Sequence, residues 1–195
     1  MKTKFLRAAL LCGLSLCFSA GSAQALSITL SLVVTTAEPV EVGETVDVEV
    51  QIAGLDGGAL PSLQSYNLTI GFDETILDFT SISYSTELTP GFTGGPTEGT
   101  GTVQFTQITT ETDLTLQPDA FTLATLTFTA LDVGDSALGF LSLGNASLAA
   151  QSGGGSLFPS LASATGATVT VPEPALLGLF ALGLAATARR LRRRR

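Results

Sequence analysis

Between residues 27 and 171 apolar and polar positions alternate in short runs, broken by Gly, Pro, Asp and Ser. In 44–52 the residues Val46, Val48, Val50 and Ile52 share one phase, while Asp47, Glu49 and Gln51 share the other. A period of two places successive side chains on opposite faces, which predicts a strand with one buried and one solvated face. The same pattern predicts strands over 28–36, 63–72, 76–84, 102–109, 121–131, 136–143 and 167–171. No stripe with helical spacing appears in this region. Strands with one apolar face each must bury those faces against one another, so the expected fold is all-β, a two-sheet antiparallel β-sandwich. Thr and Ser fill many outward positions, as suits a pleated surface in water.

The breaks carry turn chemistry. They fall at 54–58, at 90–101, at 132–135 and at 151–156. The second holds five glycines and two prolines and reads as a loop, as does the glycine-rich fourth.

Both ends depart from this pattern. Met1, Lys2, Thr3, Lys4, Phe5, Leu6 and Arg7 precede an apolar run over 8–18, and small residues continue as far as Ala23-Gln24-Ala25. A basic start, a short apolar core and small residues two apart make a secretory signal peptide over 1–25, cut by signal peptidase after Ala25. Lipoprotein processing fits poorly, because Cys12 follows Leu11 and Cys17 follows Leu16 where a small residue is needed.

The last segment, 172–195, reads Pro172-Glu173-Pro174, fourteen uncharged residues over 175–188, then Arg189, Arg190, Leu191, Arg192, Arg193, Arg194 and Arg195. Two prolines around Glu173 keep the backbone extended and open to an enzyme. Fourteen helical residues span roughly 21 Å, short of the ~30 Å hydrocarbon core, so 175–188 predicts a marginal membrane helix. The six arginines hold their end in the cytoplasm, with the β domain across the inner membrane.

Charge sharpens the picture. The chain has 195 residues, nine basic and 17 acidic, for a net charge of -8. Every basic residue lies in the two terminal segments, and 26–188 contains no Lys, Arg or His. A domain with only negative side chains repels phosphate and forms no internal ion pairs, which excludes nucleic acid as a partner. Both cysteines lie in the leader, so the mature domain has neither disulfide nor thiolate metal site. It also lacks the usual nucleophile activators and oxyanion-stabilising cations, so it is expected not to be an enzyme. A glycosidase, which needs only two suitably placed carboxylates, is the weaker alternative. No cofactor is expected. Calcium is the one ion that turn acids such as Asp56, Asp73 with Glu74, or Asp132 with Asp135 are suited to take, although none repeats the spacing of a calcium loop. Among the aromatics, Tyr66, Tyr84 and Phe92 are candidates for sugar stacking, while Phe72, Phe79, Phe105, Phe121, Phe128 and Phe140 are expected in the core.

Two segments carry family resemblances. Pro172-Glu173-Pro174, the Leu/Gly/Ala-rich stretch behind it and the terminal arginines resemble the PEP-CTERM sorting signal. That resemblance implies a Gram-negative bacterium, processing near Pro172, Glu173 and Pro174 by an exosortase, a transient inner-membrane anchor, and export to the cell surface or an exopolysaccharide-rich matrix. Residues 66–79, YNLTIGFDETILDF, followed by LATLTFTA at 123–130 and a Gly-Asp turn, resemble a cohesin domain. The resemblance covers about 26–171 and implies a nine-stranded jelly roll whose partners elsewhere are dockerins. The reading is therefore a non-catalytic extracellular adhesion or matrix protein, associated with exopolysaccharide or biofilm. The alternative is a carbohydrate-binding accessory module, with polysaccharide or a dockerin-like protein as the partner.

Overall fold

The computed structural model of the chain describes residues 27–37, 39–55, 62–151 and 155–173. The described residues form an all-β sandwich of eleven strands in two sheets, with a single 3-10 turn, Phe158–Ser160. The strands are β1 (Ile28–Val34), β2 (Thr45–Ala53), β3 (Leu63–Gly71), β4 (Leu77–Tyr84), β5 (Gly91–Gly99), β6 (Thr102–Thr109), β7 (Ala120–Ala130), β8 (Gly134–Leu141), β9 (Leu148–Ala150), β10 (Leu161–Thr165) and β11 (Ala167–Val171). One sheet runs β10-β1-β2-β7-β4, the other β11-β8-β3-β6-β5, with β9 paired to β3. The chain crosses between sheets from β2 to β3, β3 to β4, β4 to β5, β6 to β7, β7 to β8, β9 to β10 and β10 to β11, so the two layers are interwoven by covalent connection as well as by packing. The pairings are antiparallel except that of β1 with β10, which is parallel.

Alternation decides which face each strand buries. In β2 the four apolar residues Val46, Val48, Val50 and Ile52 are buried, and Asp47, Glu49 and Gln51 face out. Leu68 and Ile70 of β3, Val103 and Phe105 of β6, and Leu126 and Phe128 of β7 meet them in the interlayer core. Phe128 sits at the centre of an aromatic group, its ring centroid 5.1 Å from Phe72 and 5.8 Å from Phe79 in edge-to-face contact. Such geometry aligns ring edges with ring faces and adds to the area buried.

Three strands are absent from the sequence pattern, for a common reason. β5 lies at a sheet edge and is exposed along nearly its whole length, so it shows no alternation where a loop is expected over 90–101. Its ladder with β6 slips between Gly94 and Thr97, which accommodates Gly95 and Pro96; a proline has no N–H to give and is tolerated at an edge irregularity. β9 has only three residues, and β10 is a mostly exposed edge strand of small and polar residues. Neither buries enough for a pattern to develop.

Truncating the central ring tests the packing. Phe128→Ala is expected to lower unfolding free energy by about 3–5 kcal/mol in urea titrations. Leu116→Ala, at a side chain that is 94% exposed, is expected to leave the midpoint unchanged.

Candidate binding face and the sorting segment

The outer faces of the two sheets differ in charge. On the β1-β2-β7-β4 sheet, Asp47, Glu49 and Asp78 stand among threonines and serines. Asp47 and Glu49 are engaged locally. The Thr127 hydroxyl donates to Asp47 Oδ1 at 2.7 Å, and the Gln51 amide and Thr122 hydroxyl donate to Glu49 Oε2 at 2.8 and 3.2 Å. Hydroxyl donors take the place of the cations this domain lacks.

The outer face of β8-β3-β6-β5 is built differently. Its register lines up Ser65 with Ile108 and Phe92, Asn67 with Thr106 and Gly94, and Leu141 with Thr69, Gln104 and Thr97. These side chains carry no charge. Asp135 at one corner, which accepts a hydrogen bond from Thr170 on β11, and Glu98 on edge strand β5 mark the margins. Gln104 donates to Asn67 Oδ1 at 3.0 Å, and the Thr106 hydroxyl donates to the Tyr66 carbonyl, so the polar groups of the face are held in place. Three apolar side chains stand out of this surface: Phe92 at 70%, Ile108 at 45% and Leu141 at 41% exposure. Phe92 and Ile108 are direct cross-strand partners, and Leu141 lies over Gly71, where an added Cβ would meet its Cδ1 at 2.8 Å. A sheet face left neutral over its middle and carrying exposed apolar residues, in a domain otherwise acidic, has the chemistry of a protein-binding surface.

The sequence candidates fall into separate places. Pro172 and Glu173 are exposed and follow directly on Val171, the buried last residue of β11, which pairs with Gly134. Pro174, the cleavage-site residues Ala23 and Ala25, the segment 175–188 and Arg189, Arg190, Arg192, Arg193, Arg194 and Arg195 lie outside the described residues. Among the described residues no helix is long and apolar enough to cross a membrane. The acids proposed for calcium act as turn caps instead. Asp73 Oδ1 accepts from the backbone and hydroxyl of Thr75, Glu74 from the Gly101 N–H, and Asp132 from the Val133 N–H. Asp56 lies outside the described residues, and among those described no three His, Cys, Asp or Glu side chains gather as a metal site.

Tyr66 corrects one expectation. It is 1% exposed, with its hydroxyl donating to the Leu123 carbonyl at 2.9 Å, and so belongs to the core rather than to a sugar platform. Burial of the ring removes apolar surface from water, and the Leu123 carbonyl and the Gln107 amide satisfy its polar end. Tyr84 is half-buried and Phe92 is exposed. Ile108 was missed, although β6 carries a signal: outward Thr102, Gln104 and Thr106 are followed by outward Ile108, while inward Val103 and Phe105 are followed by buried Gln107. The polar phase inverts there.

Comparison with known proteins places this two-sheet sandwich in a family. The cohesin-domain family model matches residues 30–154, and the PEP-CTERM protein-sorting motif matches 170–194. The chain belongs to the cohesin family. Cohesin domains are non-catalytic binding modules, and together with the sorting motif the domain marks an exosortase-sorted extracellular protein with a cohesin-type adhesion module. No curated protein matches. Among solved structures, a type II cohesin domain from the cellulosome of Acetivibrio cellulolyticus aligns at TM-score 0.59 and 14% identity, covering 73% of this chain and 95% of that one. The sixth cohesin of scaffoldin B from the same organism, solved with a Cel5 dockerin mutant, gives 0.57 and 15%, covering 74% and 99%. A non-cellulosomal cohesin from the archaeon Archaeoglobus fulgidus gives 0.54 and 15%, covering 75% and 92%. At such identities these structures share the fold.

The carboxylate caps make stability pH-dependent. Hydrogen bonds from Thr75 hold the Asp73 carboxyl below its usual range, and Thr115 does the same for Asp113. A carboxyl with a depressed folded pKa contributes stability above its unfolded value, near 3.9, and loses it as pH falls through the folded value. Burial, with Tyr84 nearby, pushes the Tyr66 phenol far above its usual range, so folding weakens once pH exceeds about 10 and the unfolded chain alone ionises. Thr75→Val is expected to be less stable than wild type at pH 7, with the difference shrinking as pH falls from about 5 to 2. Thermal melts across that range measure it.

Proposed function

We propose that the chain is an exported adhesion protein organised as a signal peptide over 1–25, a cohesin-type domain over 26–171 and a sorting tail over 172–195. Signal peptidase removes the leader after Ala25. The apolar segment 175–188 and the arginines from Arg189 to Arg195 hold the protein transiently in the inner membrane of a Gram-negative cell. An exosortase then acts near Pro172, Glu173 and Pro174 and passes the domain to the cell surface or to an exopolysaccharide matrix. There it binds without catalysis.

The observation that carries the binding reading is the uncharged outer face of β8-β3-β6-β5, with Phe92, Ile108 and Leu141 exposed on it. A dockerin-like protein module is the partner that best fits this surface. The Phe92–Ile108 pair and, farther across the sheet, Leu141, set among neutral hydrogen-bonding side chains, are suited to a folded protein surface, and the similar scaffoldin B cohesin was solved with a dockerin. The sorting reading is supported by the motif match at 170–194 and by the exposure of Pro172 and Glu173 beyond the last strand.

Intact mass and location of the mature protein test the sorting reading in a host with its own exosortase. The expected species begins at Leu26, lacks the arginine cluster and leaves the inner membrane. Deleting the exosortase is expected to retain Arg195 and the membrane location. A species that keeps Arg195 in the inner membrane with the enzyme present contradicts the reading.

A further inference from the structure

A groove of about 310 Å³ opens at the C-terminal end of β4, between the turn after that strand and the start of its partner β7. None of its lining residues belongs to the β8-β3-β6-β5 face, so a ligand here is independent of the partner assigned to that face. We propose that this groove binds a pyranose sugar, neutral or bearing an amine.

The chemistry of the walls selects the ligand. Tyr84 and Phe121, both half-buried, supply apolar ring surface. The hydroxyls of Ser83 and Thr86 supply neutral groups able both to donate and to accept, the Thr122 hydroxyl, which donates to Glu49, keeps a lone pair to accept with, and among the lining residues Glu87 supplies the one carboxylate. A pyranose presents the matching pair of surfaces, with C–H groups on its faces and hydroxyls around its rim. Small-ligand sites begin at about 300 Å³, so the space suits a single ring or the end of a chain. No cation stands in the groove or anywhere in 26–188. An anionic sugar would therefore enter against Glu87 and the field of an all-acidic domain.

The groove is pre-organised from within the core. Ser85, at its base, donates its N–H to the Leu123 carbonyl at 2.9 Å, and its side-chain oxygen accepts from the Glu87 N–H at 3.1 Å. Its carbonyl accepts from Gln107 Nε2 at 2.9 Å. Gln107 is 1% exposed, and its Oε1 lies 3.2 Å from the Tyr66 hydroxyl, itself buried. A buried amide is tolerated only where its bonds are made, and here one of them anchors the turn that bears Thr86 and Glu87. On the other side the Tyr84 hydroxyl donates to the Gly94 carbonyl of β5 at 3.1 Å, which fixes the ring across the gap between the two sheets. The Tyr84 ring and the turn backbone are thus held before a ligand arrives, which lowers the ordering cost of binding.

Saturation-transfer NMR on the full chain in a sugar-free detergent tests this, with methyl glucopyranoside, methyl glucosaminide and methyl glucuronide as probes. Transfer to the ring C–H protons of the first two is expected, and none to the glucuronide. Tyr84→Ala is expected to abolish transfer. Tyr84→Phe, which keeps the ring and removes only the bond to Gly94, is expected to retain it, and Glu87→Gln to admit the glucuronide. Absence of transfer to both accepted probes overturns the proposal, as does equal transfer to the glucuronide in wild type. Should Tyr84→Ala not fold, Phe121→Leu, which removes the other ring of the groove, decides: undiminished transfer to the glucoside contradicts the assigned site.

Discussion

The mutual burial of two apolar sheet faces is the constraint on which everything else in this domain depends. The segment 26–188 has no side-chain cation and no thiol, so ion pairs, disulfides and thiolate metals are unavailable to it. What remains is hydrophobic packing between the layers, about 25 cal/mol for each Å² of apolar surface removed from water, together with the backbone ladders. The fold meets this constraint with crossings that weave the sheets and with an aromatic group around Phe128 at the centre. Carboxylates that would elsewhere pair with lysine or arginine are distributed to hydroxyls and backbone N–H groups, as at Asp47, Glu49 and Asp73. A surface of like charges is thereby stabilised locally, one acid at a time.

That distribution also creates the functional asymmetry. Acids stand on the face of one sheet and in the turns, and the β8-β3-β6-β5 face is left neutral between Asp135 and Glu98. The acidic remainder adds like-charge repulsion between copies of the domain, while a partner at the neutral face, as proposed, would approach without removing charges from water. Exposed Phe92, Ile108 and Leu141 then supply apolar contact area where desolvation is least opposed. The sorting motif matches 170–194 and the last strand ends at Val171, so the last residues of the fold and the first of the motif overlap on β11. Export signal and binding module are joined with no intervening linker.

The sandwich was legible wherever strands are half-buried. Val46, Val48, Val50 and Ile52 declare β2 without any knowledge of the partner strands, because burial of one face imposes a period of two. Edge strands leave no such mark: β5 is exposed on both faces and β10 is a short, mostly exposed run of small residues after Leu161, so no burial pattern is written into either. The neutral face is less legible than the fold, since Phe92, Ile108 and Ser65 become neighbours only through register, a property of paired strands rather than of any one segment. Tyr66 shows the reverse error. Its hydroxyl suggested a surface role, but in the interior the Leu123 carbonyl satisfies it.

The central claim is that the neutral sheet face, and not the acidic one, meets the partner. A photo-reactive amino acid placed at Gln104 on the neutral face, or at Thr80 on the acidic sheet, tests it directly in cells that carry the sorting enzyme; both positions are exposed. A discrete cross-linked species from position 104 and none from position 80 is the predicted result. Equal cross-linking from both, or cross-linking from position 80 alone, would contradict the account.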